Sequence, residues 1–515
     1  MIRVSSLLCA LISLPIMTNT ARILGIVPSP SFSHQEVFQP IWRELSLRGH
    51  QVTTITTDPI NDPSLVNLTE IDIHSAYKVW TDRIQKLINY TYFESTWLVL
   101  NLYEELGRDV LSQPMVQNLI HDRNESFDLV MIEHSVHAMF AFRRRFNAPV
   151  ILITSMDTLV VMRTLMGSYN HPILYQEPYV PIPKNPTLVH RLVLVLLHFI
   201  AIVVQYFYVD PSQQKLVAEF FGPHYPPISE LLTNISLVLS NSDPIFHKPI
   251  PLVPTIVQFG GGHHRKPPKP LPEELKRVLD AAENGFIYFS LGSNVKSKDL
   301  SDEKLNIIAE TLGELPYTVL WKFEDKNLQN KPNNVITAKW FPQQDILKHP
   351  HLKVFITQGG LQSIDEAVYD HVPMVGIPFL GDQSMNVLKM VEKGFGLQVD
   401  HNTLNKDTFK ATILEVINNP KYRNKVKELA ELALDQPMSG LEKAIWWTEY
   451  VIRHNGTAHL RSPLLDVPYY QYYFLDVFAI FVVALIVLFK LSVFVFRVLV
   501  KILRILPLRQ KIKEH

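Results

Sequence analysis

KVFITQGGLQSIDEAVYDHVPMVGIPFLGDQ, residues 353–383, is the stretch on which the fold is decided. Lys353–Thr357 is a short apolar run of the buried-strand type, and Gln358-Gly359-Gly360 ends it. Leu361–Tyr369 follows with helical spacing, Val372–Ile377 is a second strand, and Asp382–Lys393 a second helix. Strand and helix alternating at this spacing build a parallel sheet covered on both faces. Upstream the pattern repeats in Phe286–Leu291 (strand), Leu300–Leu312 (helix) and Tyr317–Trp321 (strand). The first half of the chain has its own version: strands Ala21–Val27, Gln51–Thr56, Phe127–Ile132 and Val150–Thr154, and a helix Gln35–Arg48 stopped by Gly49. The expected fold class is α/β, with two Rossmann-like domains facing a cleft. Their boundaries are read at 21–245 and 273–460, joined by a Pro-rich linker 246–272. Residues 60–125 and 157–230 read as long irregular stretches.

Ligands of such folds sit at the carboxyl ends of the strands, and the polar residues of the second half collect there. Gly292-Ser293 follow one strand, Gln358-Gly359-Gly360 the next, and Asp382-Gln383 a third. A helix starting at Gly360 offers free N–H groups to an anion such as a diphosphate. Ser363 and Glu366 share one helix face, and a carboxylate there can accept both hydroxyls of a ribose. Trp340, in Trp340-Phe341-Pro342-Gln343, offers a flat face to a base. No Walker-type Gly-Lys-Ser/Thr is present. In the first half, Ser33 and Glu36 have capping-box spacing, which predicts Ser33 as N-cap and His34 as the first helical residue. There the positive helix end would favour a neutral imidazole, the form a general base requires.

Trp340–Leu347, Phe355–Ala367 and Pro373–Gln383 together resemble the signature of the UDP-glycosyltransferase family, as do Ser33-His34, Phe289–Ser293 and Gln436–Gly440. The resemblance runs from about residue 22 to the C-terminal apolar segment. It implies a GT-B fold, a UDP-sugar co-substrate and no cofactor. Trp340 would stack on uracil with Gln343 nearby, and Glu366 would hold the ribose. Ser293, Gln358, Gly360, Gln362 and Ser363 would line the diphosphate, and Asp382 and Gln383 would bind sugar hydroxyls. His34 would deprotonate the acceptor hydroxyl, oriented by a carboxylate. Glu133 stands where the family pattern has Asp, and Asp128 is the alternative partner. Gln358 stands where many members have His. That variant is typical of insect members and points to UDP-glucose. The implied reaction is an inverting hexosyl transfer to a small lipophilic acceptor. A catalytically silent lumenal binder and a sterol or membrane-lipid glycosyltransferase are the competing readings.

Composition agrees with an enzyme held at a membrane. The chain has 515 residues, 47% hydrophobic, with 49 basic and 49 acidic side chains, so nothing suggests bulk attraction to nucleic acid. Cys9, the one cysteine, lies in a signal-peptide pattern at 1–20. No metal-ligand spacing is evident. An apolar run at 474–496, preceded by Tyr469, Tyr470, Tyr472 and Tyr473, predicts a transmembrane helix. The basic tail 497–515 then lies in the cytosol and the body in the lumen. Lys511 and Lys513 resemble a retrieval signal, so the expected location is the endoplasmic reticulum membrane, single-pass type I. Five glycosylation sequons fit a lumenal body: Asn67, Asn89, Asn124, Asn234 and Asn455. Residues 192–208 read as a buried or membrane-dipping helix, and a homo-oligomer is compatible with the sequence.

Overall fold

The computed structural model describes residues 20–84, 92–175, 177, 179–180, 185–247, 249–325 and 328–511. The signal-peptide segment up to residue 19 and the Asn89 sequon lie outside the described residues. The chain forms two compact units, Met1–Arg461 and Ser462–His515.

The first unit holds two wholly parallel sheets. β1 (Arg22–Val27), β2 (Gln51–Thr56), β3 (Leu68–Asp72), β4 (Leu129–Glu133), β5 (Val150–Thr154), β6 (Leu237–Ser240) and β7 (Ile256–Gln258) form the first, in the order β3-β2-β1-β4-β5-β6-β7. β8 (Phe286–Ser290), β9 (Thr318–Lys322), β10 (Val335–Ala338), β11 (Leu352–Thr357), β12 (Met374–Gly376) and β13 (Gly396–Gln398) form the second, in the order β10-β9-β8-β11-β12-β13. Each is doubly wound, as the alternation predicts. The central strands are buried on both faces: in β1, Ile23 packs in one core and Leu24 in the other, and in β8 Phe286 and Ile287 divide likewise. That is why these strands read as continuous apolar runs rather than alternating ones.

Three readings need correction. The stretch 246–272 is more than a linker, because it carries β7, which pairs with β6 through Val238↔Ile256. The segments 60–125 and 157–230 contain β3 and the helices Tyr92–Ser112, Pro114–His121, Leu188–Val204 and Asp210–Phe220. Apolar positions scattered along a long helix carry less visible signal than a buried strand. The helix Gly440–Arg453 lies within 273–460 by number, yet Ala444, Ile445 and Val451 join the core of the first sheet with Ile23, Phe38 and Ile41. This return is tight at Gly440, where a Cβ would stand 2.0 Å from the Phe259 carbonyl oxygen. Gly440→Ala is therefore expected to destabilise the fold by about 1–3 kcal/mol, the usual range for overpacking. Thermal melts of the two proteins check this.

Residues Leu188–Phe220 are helical and apolar enough to cross a membrane, with a π-turn at Gln205–Val209. Leu194 and His198 are buried in its first part, while Leu192, Leu196, Phe199 and Val203 are exposed. The buried alternative therefore fails for most of this helix. In the second unit one helix runs from Leu475 to Lys511, and Leu475–Arg504 is long and apolar enough to span a bilayer. The helix does not stop at residue 496 but continues into the basic tail.

Candidate active site

His34 and Glu133 meet at the carboxyl ends of β1 and β4. The helix carrying His34 starts at Phe32, two residues before the capping-box expectation. Ser31 is extended, and its carbonyl accepts from the N–H groups of His34 and Gln35 at 2.9 and 3.2 Å. Glu36 is thereby free of a capping role and faces Lys266 at 3.3 Å. His34, now the third helical residue, sets its Nδ1 2.6 Å from Glu133 Oε1. The other carboxylate oxygen accepts from Ser29 N–H at 3.3 Å and from Ser135 Oγ at 3.2 Å. Asp128 is occupied elsewhere, accepting from Arg22 N–H at 2.8 Å.

The electrostatics of this pair differ from the helix-end expectation. Burial disfavours a charged His34, but the charge and hydrogen bond of Glu133, with a smaller pull from Asp382, raise its pKa above the usual value. Glu133 is itself buried, which would raise it, yet His34 and Ser29 hold it below the usual carboxylate range. An ionised Glu133 can only accept, so His34 Nδ1 carries a proton, and in the neutral imidazole Nε2 is the nitrogen that keeps a lone pair. His34 retains 25% side-chain exposure.

On the second sheet, Trp340 is 61% exposed, and Phe32 meets it edge-on at 6.1 Å. Gln343 Nε2 donates to Ser363 Oγ at 3.0 Å and to Glu366 Oε2 at 2.7 Å, and its oxygen accepts from Tyr288 at 3.2 Å. Gln343 thus braces Glu366. Gln344 does the same from the other side, at 2.8 Å from Oε1. Burial, with Glu36 adding, pushes the Glu366 carboxyl up to about 7. Gln358 is buried, and its Oε1 has no hydrogen-bond partner. Gly292, at φ +73°, leaves the room its amide needs, because a Cβ there would come within 2.3 Å of Gln358 Nε2. Gly360 is the N-cap of Leu361–Tyr369, and Ser293 lies half-buried in the turn after β8.

Two of the expected ligand contacts are otherwise engaged. Gln362 Nε2 donates across the cleft to the Ser155 carbonyl at 3.0 Å. Gln383 Oε1 accepts from the N–H groups of Phe379 and Leu380 at 2.9 and 3.1 Å, bracing its own turn. Asp382 accepts from Asn386 at 2.7 Å, and burial raises its carboxyl while Asn386 and His34 pull the other way. The electrostatic coupling of Asp382 with His34 brings the two halves of the site together. Ser29, Ser135, Gln344 and Lys322 escaped the sequence reading. Lys322 closes β9, donates to the Gly292 carbonyl at 2.8 Å and stands 5.6 Å from the Trp340 ring. Its position at a strand end was the available signal. Among the described residues no three His, Cys, Asp or Glu side chains gather as a metal cluster. Of the described sequons, Asn124, Asn234 and Asn455 are exposed, whereas Asn67 Nδ2 donates to the Ser46 carbonyl.

Residues 24–505 match the family described as UDP-glucoronosyl and UDP-glucosyl transferase. The chain belongs to that family. This UDP-glycosyltransferase is 34% identical to UDP-glucosyltransferase 2 of Dactylopius coccus over 92% of each chain. It is 33% identical to the ecdysteroid UDP-glucosyltransferase of Spodoptera littoralis nuclear polyhedrosis virus, over 90% of this chain and 95% of that one. It is 30% identical to human UDP-glucuronosyltransferase 2B7 over 89% of each. Among solved structures, the glycosyltransferase VinC in complex with DTDP superimposes with a TM-score of 0.57, at 17% identity, over 84% of this chain and 100% of that one. CalG4, the calicheamicin glycosyltransferase, follows at 0.54 and 16% identity, over 84% and 99%. The two parallel sheets are those of the GT-B fold. The UDP-glycosyltransferase transfers a hexose from a UDP-sugar.

Proposed function

We propose that this enzyme moves glucose, with inversion, from UDP-glucose to a hydroxyl of a small lipophilic acceptor at the lumenal face of the endoplasmic reticulum membrane. The observation that carries the reading is the His34–Glu133 pair, coupled to Asp382 of the opposite domain. His34 Nε2 takes the acceptor's proton as the acceptor oxygen bonds to the anomeric carbon. The anomeric C–O bond to phosphate breaks on the opposite face, and UDP departs with the electron pair. The Gly360 helix start, with Ser293 and Ser363, stabilises the leaving diphosphate. Trp340 stacks on uracil, Glu366 accepts the ribose hydroxyls, and Asp382 a sugar hydroxyl. Gln383 and Gln362 then act by bracing their loops. A braced base and carboxylate favour turnover over silent binding.

Glucose is supported by Gln358, a neutral amide, and by relatives named as glucosyltransferases. A lipophilic acceptor is supported by the exposed apolar helix Leu188–Val204, and a steroid-like one by the ecdysteroid enzymes. The helix Leu475–Arg504 is read as the anchor. The same exposed helix favours acceptors drawn from the bilayer, including sterols, as a second reading. Microsomes carrying the enzyme are expected to use UDP-glucose at least about tenfold better than UDP-glucuronate, about 1.4 kcal/mol of discrimination, with mixed phenols and steroids. Preference for UDP-glucuronate would overturn the donor assignment.

A further inference from the structure

Glu366 is a buried carboxylate held by two amides, Gln343 and Gln344, rather than by a cation. Around it stand Glu36 from the His34 helix, Asp365 on its own helix, Asp370 at that helix's C-cap, and Tyr288 from β8. Lys266 pairs with Glu36 and Arg265 with Asp370, so neither cation is spent on Glu366. On the remaining side lies His264, 1% exposed, with Nε2 3.9 Å from Glu366 Oε1.

His264 belongs to the crossover between the domains. Gly261 and Gly262, both at positive φ, carry the chain past Tyr369. His263 Nε2 donates to the Val37 carbonyl at 2.8 Å, on the helix that carries His34. Lys266 N–H donates to Gln344 Oε1 at 2.8 Å. The crossover is thus tied down on both sides of His264, but His264 is not: neither ring nitrogen completes a hydrogen bond. A neutral imidazole always has one N–H, and leaving it unmatched when buried costs about 1–3 kcal/mol. Burial, with His263 adding and the Gln362 backbone pulling weakly the other way, holds this ring at about 3, so it is neutral at physiological pH. Its Nε2 therefore stands about 1 Å beyond hydrogen-bonding distance of a carboxylate with unused acceptor capacity.

We propose that His264 is a positioning residue of the donor site, whose Nε2–H closes onto Glu366 Oε1 and holds that carboxylate ionised and oriented while the ribose hydroxyls occupy it. The inference rests on Glu366 binding the ribose. Removing the donor leaves Glu366 with one hydrogen bond fewer in its charged form, and its protonation then competes better with UDP-sugar.

The test measures UDP-glucose affinity of the purified full chain from pH 5.5 to 8.5 for the wild type, His264→Leu, His264→Gln and Glu366→Gln. H264L is expected to weaken binding about tenfold at pH 7 and to move the midpoint of its pH dependence up by about one unit. H264Q, which keeps an N–H donor, restores both. Wild-type affinity and midpoint in H264L would overturn the proposal. So would a lowered melting temperature with an unmoved midpoint, or an H264Q as weak as H264L. If the wild type binds no UDP-glucose, or E366Q binds it like the wild type, the donor-site reading itself fails and this inference with it. If E366Q loses binding while H264L does not, only the inference fails.

Discussion

His34→Ala is expected to lower kcat by about 10²–10⁴-fold, the usual contribution of a positioned general base, while UDP-sugar affinity stays within about twofold. The separation follows from geometry. His34 sits on the first sheet and pairs with Glu133 at 2.6 Å. The groups that hold Glu366 and present Trp340 belong to the second sheet and its helices. Rate and donor affinity therefore answer to different residues, and loss of both together would sink the base assignment. The pH profile sharpens the test. The pKa of His34 is raised, so the neutral form grows only as pH climbs through a value above 6.5. The rate should rise with pH through that value and then level. Glu133→Gln removes the main raising cause and leaves burial and the smaller pull of Asp382, so the acid limb should move to lower pH while the plateau falls. In stability terms the signs are opposite for the two partners. The gain carried by protonated His34 is present below its unfolded pKa and lost as pH rises through the raised value. The gain carried by ionised Glu133 is lost as pH falls through its depressed one.

The second half was the more legible half because its ligand-facing residues follow its buried central strands directly. Lys353–Thr357 and Phe286–Leu291 differ from the observed β11 and β8 by a single residue. Glu133 came from the family resemblance, which implies a carboxylate at a strand end, and it is Glu133 rather than Asp128 that lies 2.6 Å from His34 Nδ1. What escaped depends on contacts distant in sequence. Ser33 and Glu36 had capping-box spacing, but Glu36 has Lys266 to pair with, and the helix starts from the Ser31 carbonyl instead. Gln343 and Gln383 sat where ligand contacts belong, yet amides at helix starts also serve to brace neighbouring side chains and turns. Helix Gly440–Arg453 joins the first sheet through Ala444 and Ile445, a return that no local pattern announces. The exposure of Leu188–Val204 was hidden as well, since periodicity cannot tell an apolar helix facing protein from one facing lipid.

Glu366→Ala is expected to raise the Kd for UDP-sugar by about 10–100-fold, the cost of losing a charged acceptor that binds two hydroxyls at about 1.5–3 kcal/mol. kcat at saturating donor should change far less. The buried carboxyl titrates at about 7, raised first by burial and then by Glu36. In the charged form it can accept from both ribose hydroxyls as well as from Gln343 and Gln344. Once protonated it gives up acceptor capacity and gains a donor with no use for a hydroxyl pair. Affinity should therefore fall as pH drops through about 7, approaching a tenfold loss per unit, and binding near that pH should release protons. A UDP-sugar suits the measurement because its diphosphate is esterified at both ends and keeps its charge over this range. Calorimetry in two buffers of different ionisation enthalpy reads the proton release directly. Glu366→Gln keeps the shape but cannot titrate, so it should bind weakly with a flat profile. A profile as steep as that of the wild type would assign the titration to Glu36, Asp382 or His34, which are also shifted upward in this cleft.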